Sequence, residues 1–332
     1  MAILFNKRSI KRILLIRFSC MGDVILTTPA VTTIRRHFPR AHITYLTEKA
    51  PSEALKNNPD IDRILIFEKG IVRKMAREKT YDLVMNFDWF YSSQALCFLS
   101  KARYSIGMPV RKETGHKIEA CQPYNITIKK PRKGLDAIDF FLNHVESLGL
   151  KSYTRKTGFY LASREKAFAV SYMKKHNLTG KIIIGMHPGA SRRKELWQAW
   201  KFAALADMLI SRFSAYVLIF HGPDEKDIVT DVYNQIRQKD RVLIAPELPL
   251  RKYASLVSNC NMFIAHDRGP MHISASLGVS TIGIFTTPYA RIWFPYKENK
   301  DCAYVEKKTA KKITAEEVFR KIKKCKKKCK KV

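Results

Sequence analysis

The chain has 332 residues, enough for two domains of ~100–200 residues each or one large α/β unit, and its 46% hydrophobic and 11% aromatic content excludes wholesale disorder and collagen-like repeats. Its 61 Lys and Arg against 29 Asp and Glu give a net charge of +32, a field that attracts phosphates on a nucleic acid, an anionic membrane surface or a phosphorylated substrate. No apolar run approaches the ~20 residues of a spanning helix, and seven scattered cysteines with neither a CxxC pair nor a Cys/His cluster at zinc spacing make disulfide staples unexpected and suit a reducing cytosol.

The amino-terminal segment MAILFNKRSIKRILLIRF has a basic stretch and an apolar run but no small-residue cleavage site, so it reads as a first buried strand rather than a secretory signal. Strands are predicted at Arg12 to Phe18, His42 to Leu46, Ile64 to Phe67 and Leu83 to Asn86, with helix-length segments between them. Met108 to Lys133, polar and basic, reads as a long surface loop, and Leu135 to Leu148 as a helix closed by Gly149. A second series follows: Ile182 to His187, Ala215 to Phe220, Val242 to Ala245, Met262 to His266 and Thr281 to Phe285. Alternation of this kind is the pattern of parallel sheets covered by helices on both faces. The expected fold class is α/β with two Rossmann-like domains, 1–165 and 166–313, facing across a cleft into which the carboxyl ends of the strands point. The remaining 314–332 is a basic helix or tail. From Glu306 to Val332 thirteen Lys/Arg and three Glu supply +10 of the charge, either as a solvated terminal helix or as a polybasic segment against anionic lipid.

Three junctions carry the residues suited to chemistry. In RFSCMGDVILTTPAV a strand ends, Gly22 permits a tight turn, and Asp23 opens a helix, as an N-cap or as a strand-end carboxylate available as a base. The helix dipole would lower its pKa unless burial or a bound substrate restores basicity. In IGMHPGASRRKELWQAWKF, Gly189, Ser191 and the cations Arg192, Arg193 and Lys194 gather where a pyrophosphate could sit, or form an ordinary solvated cluster. In FIAHDRGPMHISASLG a strand delivers Asp267, Gly269 allows close backbone approach, and Pro270 fits a first helical turn whose amides, with His272, could hold a diphosphate. His272 could equally be a hydrogen-bonded structural residue. Between them, GPDE places Asp224 and Glu225 at a strand end, where an acid either favours a helix dipole or binds ribose hydroxyls. Neither GxGxxG nor GxxxxGK[ST] is present, and Asp60-Ile61-Asp62 precedes a strand and is assigned to a surface loop.

Taken in order, MGDVILTTPA, HPGAS, GPDE and DRGPMHISASLGVSTIGIF resemble glycosyltransferase family 9, the ADP-heptose:lipopolysaccharide heptosyltransferases, over about residues 11–320. The resemblance implies a GT-B architecture, an acceptor bound mainly by the first domain, an ADP-sugar mainly by the second, and a carboxy-terminal helix returning to the first domain. It implies inversion without a divalent metal and no cofactor beyond the ADP-heptose donor. Asp23 matches the family's proposed general base, flanked on the acceptor side by Ser19 and Gly22. Asp267, Gly269 and His272 match the diphosphate-binding turn. Ser191 and Lys194 lie in the phosphate-contacting region, Glu225 where ribose is bound, and Leu248 in the adenine-facing loop. Two departures stand out: Arg268 replaces a Thr or Ser and would add a charged diphosphate contact, and Glu195 replaces a Lys two residues before Trp197. The implied acceptor is the lipopolysaccharide inner core (Kdo or heptose), and the positive charge suits a cytoplasmic enzyme held peripherally on an anionic inner-membrane surface. Competing readings are another nucleotide sugar on the same scaffold, a GT-B-like nucleotide-sugar epimerase, and a basic nucleic-acid-binding protein. The last has no recognisable RNA or DNA module, so no nucleic-acid partner is predicted.

Overall fold

The computed structural model describes residues 6–18, 20–77, 80–108, 124–128, 134–190, 195–296, 299 and 301–325. It divides into two compact units, Met1–Tyr160 and Leu161–Val332. The division falls five residues before the boundary expected at 165.

The first unit runs β1 (Arg12–Ile16), α1 (Met21–His37), β2 (His42–Thr47), α2 (Lys49–Ser52), β3 (Arg63–Ile66), α3 (Ile71–Arg77), β4 (Leu83–Asn86), α4 (Tyr91–Leu99), β5 (Tyr104–Gly107), β6 (Ile126–Thr127) and α5 (Ala137–Glu146). Its six strands are parallel in the order β3-β2-β1-β4-β5-β6, the doubly wound Rossmann order. β1 is central, and its register, Ile16 against Leu46 on one side and Asn86 on the other, brings three strand ends level. The next residues on β1 and β4 therefore project side by side beyond the sheet.

Helix α1 passes through Pro29, which cannot donate to the Ile25 carbonyl. The Thr28 hydroxyl donates to that carbonyl instead, at 2.6 Å, so the TTP sequence supplies its own repair. Arg35, Arg36 and His37 in the last turn suit the negative end of the helix dipole. Asp60 and Asp62 serve structure, as expected: Thr32 donates to Asp60, and Arg35 and the Ile43 amide donate to Asp62. The long loop expected over 108–133 is interrupted. Tyr124 is buried, and β6 adds an edge strand to the sheet, while 109–123 and 129–133 lie outside the described residues.

The second unit runs α6 (Ser163–Lys175), β7 (Ile183–His187), α7 (Ala199–Phe213), β8 (Tyr216–Ile219), α8 (Lys226–Gln235), β9 (Val242–Ile244), α9 (Leu250–Val257), β10 (Met262–His266), α10 (Gly269–Ser276), β11 (Ser280–Phe285), α11 (Ala290–Trp293), β12 (Ala303–Glu306) and α12 (Ala315–Lys324). Its order, β12-β11-β10-β7-β8-β9, is the same winding as the first sheet, with β7 in the place of β1. All pairs are parallel. The strand order reverses between β7 and β10, so the carboxyl ends of these two parallel strands flank the crevice where such folds bind ligands.

The carboxy-terminal helix α12 clusters with the second unit and packs on α7 and β12. The cause is local. Trp197 Nε1 donates to the Ile313 carbonyl at 2.9 Å, and the buried Lys201 ammonium donates to the Lys311 and Ile313 carbonyls, both at 2.7 Å. These bonds fix the chain just before α12, whose Val318 and Ile322 then join the core around Leu205 and Leu209. Thr314 and Glu317 close its amino end as a capping box. Residues 326–332, with the lysine run read either as a solvated helix end or as a segment against anionic lipid, lie outside the described residues. No described helix is long and apolar enough to cross a membrane.

Candidate functional site

In the first unit the site begins where β1 stops. Arg17 follows the strand directly, is fully buried, and donates to the Phe87 carbonyl at 3.0 Å and to the carboxylate of Asp23. Its Nη1 also stands 3.5 Å from Asp88 Oδ1. The guanidinium lies 4.5 Å from the centroid of the Trp89 ring, within cation–π range. Asp88 is fixed by amides: Phe18 and Trp89 donate to its two oxygens at 2.9 Å each, and its own amide donates to Asn86 Oδ1. Asn86 in turn donates to Ser93 and to Tyr124. One buried cation therefore holds two carboxylates at adjoining strand ends.

Asp23 does not cap its helix. The N-cap is Cys20, at φ 63°, and Asp23 sits in the first turn with its carboxylate turned to Arg17. Burial raises its pKa above an ordinary aspartate's. Arg17 opposes that rise and Asp88 adds to it, and the net direction is upward. The group is thus more basic than the helix dipole alone would leave it. Gly22 is buried beside it, and Ser19 lies outside the described residues.

In the second unit the expected residues divide. Ser191 and Lys194 lie outside the described residues. Arg268, the N-cap position of α10, reaches across to Glu225 and donates to Oε1 at 2.6 Å. Glu225 Oε2 accepts from the Gly222 amide at 2.7 Å and lies 3.1 Å from His187 Nε2. His187 is oriented by the Tyr253 hydroxyl on its other nitrogen at 3.1 Å. Burial works against the Glu225 charge, but His187, the Gly222 amide and Arg268 outweigh it and hold the pKa at about 2. Both oxygens of Glu225 are thereby engaged within the protein, where the side chain braces Arg268 and the turn at Gly222. Gly189 must lack a side chain, because its Cβ would run into this carboxylate.

The first turn of α10 is narrower as an anion site than expected. Met271 and His272 amides already bond the Arg268 carbonyl, and Pro270 has no N–H, which leaves the Gly269 amide. His272 is buried, with its pKa lowered to about 4 by burial, and is therefore neutral at physiological pH. Its Nδ1 pairs with the Tyr296 hydroxyl at 2.8 Å, and its Nε2 lies 4.0 Å from Asp267. It supports this turn from beneath as an uncharged side chain. Leu248 lines a groove of about 750 Å³ with Phe168, Tyr172, His221, Lys226 and Ala245, beside edge strand β9. Aromatic and aliphatic walls with lysines at the margin suit a nucleobase and a phosphate-bearing sugar. Among the described residues no three His, Cys, Asp or Glu side chains group to hold a metal ion.

Sequence reasoning missed three residues. Arg17 and Asp88 gain their roles only from the pairing of β1 with β4, although both stand at predicted strand ends. His266, the last residue of β10, accepts from the Trp197 amide on Nε2 at 3.0 Å and donates from Nδ1 to the Gly189 carbonyl at 3.0 Å. These two bonds require one neutral tautomer, consistent with a pKa lowered to about 4 by burial. The imidazole ties both sides of the HPGAS segment to the strand that carries Asp267.

The glycosyltransferase family 9 (heptosyltransferase) model matches residues 71–323. A Campylobacter coli protein, lipopolysaccharide heptosyltransferase 1, is 26% identical over 315 residues, covering 87% of this chain and 88% of its own. The fold is shared with the glycosyl transferase family 9 protein from Veillonella parvula (TM-score 0.84, 23% identity, 98% and 99% of the two chains). It is shared also with the Escherichia coli heptosyltransferase WaaC with ADP-2-deoxy-2-fluoro heptose (TM-score 0.70, 19% identity, 94% and 99%). With two sheets of the same winding, the MGD and DRGPMH junctions at strand ends, and a family match over most of its length, this chain belongs to glycosyltransferase family 9.

Proposed function

We propose that the protein transfers a heptose from ADP-heptose to the inner core of lipopolysaccharide, to Kdo or to heptose, with inversion at the anomeric carbon and without a divalent metal. The observation that carries this reading is the Arg17–Asp23–Asp88 cluster: a carboxylate made more basic by burial yet held in place by one guanidinium, at the start of the helix following the first strand. In the reaction Asp23 takes the proton from an acceptor hydroxyl as its oxygen bonds to the anomeric carbon. The bond from that carbon to the diphosphate breaks in the same displacement, and ADP leaves with the electron pair. Stabilising the departing ADP falls to the Gly269 amide, Arg268 and the cations of the HPGASRRK segment. The groove at Leu248 takes the adenosine. A relative named as a lipopolysaccharide heptosyltransferase and a neighbouring structure with an ADP-heptose analogue support this donor and acceptor.

Arg268 favours one variant of the reading, a different nucleotide sugar, because it substitutes a charged side chain for a small hydroxyl at the donor turn. A donor panel separates the two. Purified protein given ADP-heptose and a Kdo-lipid A acceptor should release ADP and extend the acceptor with inverted configuration, with and without EDTA. Asp23→Ala should lower kcat by about a hundred- to ten-thousand-fold while donor affinity stays within about twofold. Full activity in Asp23→Ala, or turnover only with another sugar nucleotide, would refute the assignment.

A further inference from the structure

From Trp89 to Ser100 the chain carries twelve residues without one charge, in a protein that is 27% charged. More than half of the segment is exposed. Trp89 (44%), Phe90 (44%), Tyr91 (57%) and Phe98 (69%) are exposed, and Leu99 joins them. Along α4, Tyr91, Ala95 and Phe98 share the outward face at helical spacing, while Ser93, Gln94, Leu96 and Cys97 face inward and account for the packing of the helix. Helix α3 packs against α4 and adds Val72 to the exposed apolar surface, with Arg73, Lys74 and Arg77 exposed on the same helix. Lys101 and Arg103 are exposed just beyond α4. The result is an uncharged aromatic strip rimmed by cations.

We infer that this strip, Trp89 to Leu99 with its basic margin on α3, is the surface by which the protein docks on an anionic phospholipid bilayer. Rings of Trp, Tyr and Phe suit the headgroup level of a membrane, and the surrounding cations suit lipid phosphates. A chain of +32 is drawn to such a surface, and the aromatic strip then supplies the apolar contact that charge alone lacks. The strip begins at the chemistry. The Trp89 ring stacks on the guanidinium that holds Asp23, so an acceptor anchored in the bilayer is delivered beside the base. This second step rests on the acceptor being lipid-borne, whereas docking itself does not.

The test uses the full chain and vesicles of phosphatidylcholine with or without phosphatidylglycerol. Wild type should co-sediment with the anionic vesicles and be released by salt. Phe98→Ser combined with Leu99→Ser should bind at least tenfold more weakly, with its thermal midpoint within a few degrees of wild type because both side chains are exposed. Phe98→Trp should bind at least as well as wild type. Transfer to a bilayer-embedded acceptor should fall in the double variant while transfer to a deacylated, water-soluble acceptor does not. Unchanged vesicle binding by the double variant overturns the inference, as does a double variant that loses self-association instead, which would assign the strip to a second copy of the chain. Weakened vesicle binding by a protein that glycosylates neither acceptor upholds the docking surface and refutes the proposed reaction.

Discussion

Replacing Glu225 with Gln keeps the shape of the side chain but removes the charge, and it turns into a donor one of the two oxygens that accept from the Gly222 amide and Arg268. The folded protein holds Glu225 at about 2 against an ordinary 4.5. That difference of about 2.5 units is worth about 3 kcal/mol of stability at neutral pH, at about 1.4 kcal/mol per unit. A carboxylate depressed on folding contributes fully above its unfolded value and loses that contribution as pH falls through the folded one. The charge-dependent part of the advantage of wild type over Glu225→Gln should therefore be about 3 kcal/mol from pH 7 to pH 4.5, about 2 kcal/mol at pH 3.5, and should vanish below about pH 2, leaving a pH-independent offset for the lost acceptor. Denaturant unfolding of both proteins at each pH measures it, and groups that do not interact with Glu225 cancel in the difference. Freed from its partner, Arg268 should also change the affinity for ADP, read by calorimetry at pH 7. A gap that is flat with pH, or below about 0.5 kcal/mol at pH 7 as for an exposed ion pair, would refute the account of Glu225 as the charged brace of this turn.

Arg17→Met should cost about 3–5 kcal/mol in the same unfolding assay, because two carboxylates lose their shared buried cation. With Arg17 gone, burial and Asp88 act on Asp23 unopposed, so the acid limb of its kcat/KM profile should move to higher pH; a limb that stays in place separates Asp23 from Arg17. His266→Val leaves the Trp197 amide and the Gly189 carbonyl without their partner, at about 1–3 kcal/mol each. It should also flatten the acid loss of stability: His266 lies at about 4 folded against 6.5 ordinarily, so the unfolded chain takes the proton first and stability falls as pH drops from 6.5 to 4. The slope over that window in denaturant titrations should be smaller by about one proton in the variant.

Nine of the twelve strands among the described residues were legible because β-branched runs bounded by turn residues announce buried parallel strands. The three that were missed share a cause. β5 (Tyr104–Gly107), β6 (Ile126–Thr127) and β12 (Ala303–Glu306) lie towards or at the far edges of their sheets, are short, and carry polar or aromatic residues that no periodicity marks. Their pairing comes from the neighbouring strand, which exists only after folding. The start of α12 was hidden for a related reason: its lysine-rich pattern carries no sign of the bonds from Lys201 and Trp197, more than a hundred residues away, that fix the chain just before it.

At the site, residue identity was legible and residue pairing was not. The sequence shows Asp23 and Glu225 as acids beside turns, which leaves open whether either faces a ligand. Depth and neighbours settle the difference between them. Asp23 has a single cation, shared with Asp88, against the cost of its burial, and its basicity rises. Glu225 has a cation, an amide and an imidazole, and its basicity falls. Two carboxylates that one dimension renders alike are thus driven in opposite directions, and only the one with the raised pKa is suited to take a proton. The same logic explains how Arg268 is accommodated at the start of α10. Its charge is met by Glu225 already in the folded protein, so the turn holds a braced guanidinium whose net field is small.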